Sequence, residues 1–139
     1  MKKLIIDVRS NPGGLLNEAV KITNFFIPKD KVVVTTKSKI EKWSETFKTN
    51  AEPLDLDMPI TILIDNRSAS ASEILAAALQ DYGRAVIVGS KSTFGKGTVQ
   101  TFVELPGGLS AVFPRGFGQL KVTIQKFYRI NGGTTQLRG

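Results

Sequence analysis

Asp65-Asn66-Arg67-Ser68-Ala69-Ser70-Ala71-Ser72-Glu73-Ile74-Leu75 opens the stretch that decides the fold, and Phe94-Gly95-Lys96-Gly97-Thr98-Val99-Gln100 closes it. The run Pro59 to Ile64 before it is apolar and reads as a central strand. Asp65 to Ala69 is rich in turn formers. Ser70 to Tyr82 then reads as a helix, because Ile74, Leu75, Ala78, Leu79 and Tyr82 recur on one face. Gly83 falls where a helix terminates in a left-handed residue. Arg84 to Val88 is a second apolar strand, and Gly89 to Gly95 is a loop that delivers Lys96. Strand, turn and helix thus set a small hydroxyl at a helix N-terminus, and the next strand brings a lysine back toward it.

Two readings of Ser70 compete at this level. Ser70-Ala71-Ser72-Glu73 has the form of a capping box, so the serine can simply cap the helix. The same position also suits a nucleophile. A hydroxyl at a helix start has the N–H of Ala71 beside it, and the helix dipole favours a developing oxyanion there. Residue chemistry alone does not separate Ser70 from Ser68 or Ser72. Lys96, between two glycines, can approach a backbone-lined pocket. A lysine base must be neutral, which burial beside apolar groups such as Phe94 and Val99 favours. Gly89 to Gly97 is not a phosphate-binding P-loop. Five residues rather than four separate Gly89 from Gly95-Lys96, glycine follows the lysine, and a strand-like run comes next.

Working outward, Lys3 to Val8 reads as a buried strand, and Arg9-Ser10-Asn11-Pro12-Gly13-Gly14 as a turn. A helix follows over Leu15 to Phe26, with Leu15, Leu16, Ala19, Val20, Thr23 and Phe26 at helical spacing. That turn is either a plain connection or a set of N–H donors at a helix N-terminus. Val32 to Thr36 is β-branched and reads as a strand. Lys39 to Phe47 reads as a half-exposed strand pairing with it across Lys37 to Lys39, with Trp43 as a packing or peptide-contact residue. Asn50 to Asp57 is a loop. Thr98 to Leu105 and Leu120 to Phe127 are strands, the latter alternating. Pro106 to Gln119 between them reads as a lid or substrate-facing loop. Asn131-Gly132-Gly133 is a tight turn. Alternating strands and helices point to an α/β layered fold with a mostly parallel sheet, in one domain spanning residues 1–139.

Composition excludes several chemistries. The 139 residues contain no histidine and no cysteine. There is then no Ser-His-Asp triad and no thiol nucleophile, and zinc would need carboxylates for every ligand. Neither a metal nor a cofactor is expected, and a hydrolytic base must be Lys, Asp or Glu. The net charge of +7 comes from scattered basic residues, which suits a solvated basic face better than nucleic-acid binding. No apolar run reaches membrane-spanning length. Met1 to Arg9 meets Asp7 too early for a signal peptide. The expectation is either a cytoplasmic protein or a piece of a longer exported one.

Four stretches together carry a family resemblance: Leu4 to Leu16, Asn66 to Gly89, Thr93 to Gln100, and Val122 to Gln136. In this order they resemble the catalytic core of the carboxyl-terminal processing (tail-specific) proteases, serine peptidases with a Ser-Lys dyad. The resemblance implies Ser70 as nucleophile, Lys96 as base and Gln100 as the residue that orients the lysine. An even offset would put Lys96 and Gln100 on one strand face. It implies oxyanion donors at Ala71 and at a glycine of the Asn-Pro-Gly-Gly turn, Gly14, with Gly13, Glu73 and Thr93 in support. The loop Gly89 to Thr93 is one residue longer than is common in the family. The implied fold is a crotonase- and Clp-protease-like layered core of β-β-α units. The implied function is endopeptidase cleavage of proteins near their C-termini. Implied partners are peptide substrates, an absent N-terminal PDZ-containing part and room for a homo-oligomer, with a periplasmic or cell-envelope location. A non-catalytic peptide-binding or assembly module is the alternative. Acyl-CoA chemistry on a crotonase-type core is weaker, because it leaves the serine and lysine motifs idle.

Overall fold

The computed structural model describes residues 2–104 and 118–139. Two sheets and two helices make the architecture. The first sheet is parallel and three-stranded, in the order β1 (Leu4–Asp7), β4 (Ile60–Ile64), β5 (Ala85–Gly89). Leu4 lies beside Ile60, and Ile60 beside Ala85, so the three strands run in step. In β4, Ile60, Ile62 and Ile64 are buried while Thr61 and Leu63 are only half-buried. This is the period-2 signature of a strand with one face on a core.

That face is covered by α1 (Leu16–Asn24) and α2 (Ala71–Asp81), which pack on each other. All residues of α2 from Ala71 to Leu79 are buried. A helix apolar on every side has to be enclosed, and α2 is: it touches α1, β5 and, on another side, β2 (Val32–Lys37). Tyr82 at its C-terminal end donates from Oη to the Val32 carbonyl at 2.8 Å. The helix ends as the sequence predicts. Gly83 has φ +66°, its N–H donates to Gln80 O, and Arg84 N–H donates to Leu79 O. That paired pattern is the Schellman motif, which needs a residue tolerant of the left-handed region.

The second sheet is antiparallel, in the order β3 (Glu45–Lys48), β2, β7 (Gln119–Tyr128), β6 (Thr98–Glu104). The expectation of a mostly parallel sheet is therefore corrected: among the described strands three are parallel and four antiparallel. Connection length explains it. β4 and β5 are joined through a helix, which a parallel pair requires, whereas β2 and β3 are joined by a short turn that permits only antiparallel pairing. Lys39 to Phe47 is likewise not one strand: a single 3₁₀ turn occupies Glu41–Trp43 and the strand begins at Glu45. The pairing of this segment with the preceding strand holds, with Thr35 opposite Thr46. Of the expected lid, Pro106 to Gln119, residues 106–117 lie outside the described residues.

Candidate active site

The site lies where three loops meet at the start of α2. Asp65, just after β4, bends the chain through an Asx-type turn: its carboxylate accepts the N–H groups of Arg67 and Ser68. The same carboxylate accepts Ser10 N–H at 2.9 Å and Ser10 Oγ–H at 3.1 Å. Hydrogen bonds led by the Ser10 backbone N–H hold the Asp65 carboxyl down at about 2. One side chain thus ties the turn after β1 to the turn before α2. The tie is reinforced where Ala69 N–H donates to Asn11 O at 3.0 Å.

The three serines now separate by geometry. Ser68 is fully buried, and its Oγ donates to Val8 O at 2.7 Å while accepting Asp65 N–H. It is a structural tie. Ser72 is buried inside α2. Ser70 is half-buried, at φ +54° and ψ −114°. A non-glycine residue at positive φ costs about 1–3 kcal/mol and persists only where its surroundings impose it. Its hydroxyl faces the first turn of α2 in a capping-box arrangement without completing a cap hydrogen bond. The reciprocal half is a full hydrogen bond, with Ser70 N–H donating to the Glu73 carboxylate.

Glu73 is the hub of the site. It is 2% exposed, and its carboxylate accepts four donors. Oε2 takes Ser70 N–H at 2.7 Å and Lys96 N–H at 3.0 Å. Oε1 takes Thr93 Oγ1–H at 2.6 Å and Gly95 N–H at 2.8 Å. Because one oxygen holds both amides, bonds of 2.7 and 3.0 Å keep the Ser70 and Lys96 nitrogens within about 5.7 Å of each other. Phe94 N–H donates to Ser68 O, adding a direct backbone link. Thr93 reaches the hub despite the long loop before it.

The glycine turn packs on the other side of Ser70. Gly13 has φ +101°, and a Cβ there would lie 2.7 Å from Ala69 O and 2.8 Å from Ala71 N. Only glycine permits that approach. The N–H of Gly13 is taken by Asn11 Oδ1 at 2.9 Å. Gly14 is exposed, and Ala71 opens α2, where a helix N–H lacks an intrahelical acceptor. Gly13, Gly14 and Ala71 line a cleft of about 330 Å³ whose apolar wall includes Leu15, Ile22 and Leu75.

One expectation changes. Phe94 is 64% exposed, so it does not bury Lys96, which is itself half-buried. Gln100 is exposed and donates from Nε2 to Thr123 Oγ1 at 3.3 Å. A register shift between Val99 and Gln100 breaks the strand alternation, so the even offset from Lys96 does not fix a shared face. What residue reasoning missed is the part played by Asp65. Its position just after an apolar strand and three residues before Ser68 is an Asx-turn signal that could have found it.

Among solved structures, the photosystem II D1 C-terminal processing protease superposes with a TM-score of 0.79 at 28% identity, over 98% of this chain and 32% of that one. An S41 protease from Bacteroides fragilis gives 0.75 at 18% identity, over 95% and 34%. The fold is thus one used by serine-type peptidases. The chain belongs to peptidase family S41, whose description matches residues 1–139. A probable CtpA-like serine protease of Staphylococcus aureus (strain COL) is 50% identical over 112 residues, which is 78% of this chain. Its counterpart in Staphylococcus saprophyticus is 44% identical over 108 residues. The chain spans 22% of the length of each of these relatives.

Proposed function

We propose that the chain carries the catalytic core of a serine endopeptidase that cleaves proteins near their C-termini, with Ser70 as nucleophile and Lys96 as its base. The observation that carries this reading is the Glu73 carboxylate, which holds the Ser70 turn and the Lys96 loop on a single oxygen. A purely structural cap would not need to gather the lysine loop as well.

In this reading the neutral Lys96 amine takes the Ser70 hydroxyl proton as Oγ bonds to the scissile carbonyl carbon. The N–H groups of Ala71 and Gly14 receive the developing oxyanion. Collapse of the intermediate breaks the C–N bond, and the ammonium returns its proton to the leaving amine. Water then attacks the acyl-enzyme with Lys96 again as base. The cleft beside Gly14 takes an apolar substrate side chain against Leu15, Ile22 and Leu75. Gln100 would steady Lys96 only after leaving Thr123.

The larger protein follows from the family resemblance: a PDZ-containing part before Leu4 that captures substrate tails, a cell-envelope location, and self-association. The two sheets enclosing α2 would then be the layers of a crotonase- and Clp-protease-like core. A non-catalytic peptide-binding module on this fold is favoured by one observation, the engagement of Gln100 by Thr123.

Fluorophosphonate labelling tests the reading, on this chain and on the chain joined to its N-terminal part. Labelling is expected on Ser70 in the joined protein and absent in Ser70→Ala. Lys96→Ala should lose labelling while keeping the folded circular dichroism spectrum. Undiminished labelling and peptide cleavage in Lys96→Ala would rule out the dyad.

A further inference from the structure

β7 and the turn at residues 38–44 enclose a groove of about 600 Å³. Its apolar surfaces come from Ile40, Trp43, Val122, Ile124 and Tyr128. Lys37, Lys39 and Lys126 also line it, and no Asp or Glu does among the described residues. Trp43 and Ile40 are 44% and 43% exposed, although the chain has a core that could take them. Beyond Trp43 the hollow continues for another 550 Å³, past Ile124 to Thr101 and Val103 on β6. Together the two form a trough crossing the antiparallel sheet.

The wall of this trough is built rather than loose. Ser38 Oγ donates to Ile124 O at 2.8 Å, and Ser38 N–H donates to Ser44 Oγ at 3.1 Å. Gln125 Nε2 donates to Trp43 O. The Lys37 ammonium sits 5.3 Å from the Tyr128 ring centroid, a cation–π contact that fixes it at the edge. An exposed aromatic anchor, branched aliphatic neighbours and lysines along the edge are the features of a binding surface.

We propose that this trough docks an extended acidic segment of another polypeptide, one whose apolar or aromatic side chains alternate with carboxylates. Charge complementarity selects it: Lys37, Lys39, Lys42 and Lys126 line the trough against a single carboxylate, Glu45, an excess that favours anions, and the net charge of +7 adds long-range attraction. The floor selects peptide over nucleic acid. Its aliphatic surfaces are Ile40, Val122 and Ile124; of its two rings, Trp43 and Tyr128, the second is already faced by the Lys37 ammonium, and no arginine lines it. The docking is independent of the Ser70–Lys96 reading, and Ser70→Ala should bind equally well.

Trp43 is the protein's only tryptophan, so its emission reports the groove directly. The probe is an N-acetylated, C-amidated peptide of sequence Glu-Val-Glu-Phe-Glu-Val-Glu, titrated into the full chain. A saturable change in Trp43 emission is expected. Binding should weaken at least about tenfold in Lys37→Glu/Lys39→Glu/Lys126→Glu, since each reversal turns attraction into repulsion. If that triple variant fails to fold, Lys39→Glu alone, on the exposed turn, should still weaken binding measurably. Salt at about 1 M, which screens charges within about 3 Å, should also weaken it. Four results would overturn the proposal. They are no saturable change, an equal response to the same peptide with lysine for glutamate, tighter binding of oligo-dT, and an emission shift without peptide that tracks dimerisation by sedimentation.

Discussion

A single buried carboxylate does more for this site than any other group. Four donors converge on Glu73, from the helix start, the loop threonine and both residues at the lysine turn. Glu73→Gln keeps one acceptor oxygen and turns an NH2 toward two donors. Leaving buried donors unpaired costs about 1–3 kcal/mol each. The variant should show a lower urea midpoint and reduced fluorophosphonate labelling of Ser70. An unchanged midpoint would mean that the four bonds are not what joins the two loops. The capping-box pattern made Glu73 legible in the sequence, but only as a cap. Its bonds to Thr93, Gly95 and Lys96 cross 20 to 23 residues and have no local signature.

The turns at either end of Asp65 act as one element. Asp65 accepts from Ser10 across 55 residues and from its own turn, and the Ser10 N–H is the main reason its carboxyl sits near 2. A folded-state value below the ordinary 3.8 stabilises the fold above the unfolded value. That contribution is complete above about pH 4 and is lost as pH falls toward about 2. Thermal midpoints measured through this window should fall more steeply for the native chain than for Asp65→Asn. Parallel acid limbs would show that the carboxylate is equally free when unfolded. Helix and strand identities were largely readable here from periodicity, Gly83 and the Asn11–Gly14 turn. The 3₁₀ turn at Glu41–Trp43 was not, because polar residues flanking one aromatic fit a half-exposed strand equally well.

The molecule as a whole is two sheets joined through α2. Tyr82 is the visible link: its ring ends the apolar face of the helix and its Oη reaches the Val32 carbonyl of the antiparallel sheet at 2.8 Å. Burial raises the Tyr82 hydroxyl above its ordinary value, which keeps it a donor further into the alkaline range. Tyr82→Phe removes that donor and should lower stability by roughly 0.5–1.5 kcal/mol. Hydrogen exchange should show the loss preferentially in β2 and its neighbours. Uniform loss across both sheets would instead indicate that they unfold as one unit.

The sequence by itself determined both helices, most strands, the serine turn, the glycine turn and the lysine loop, because each depends on residues within a few positions of one another. It also excluded imidazole and thiol chemistry, since those side chains are absent. Only the tertiary structure decided that Ser68 is a structural tie, because its partner Val8 lies sixty residues away. It also decided that a second, antiparallel sheet exists and that Gln100 rests on Thr123. Register and long-range hydrogen bonding depend on how separate strands come together, and no local pattern records that.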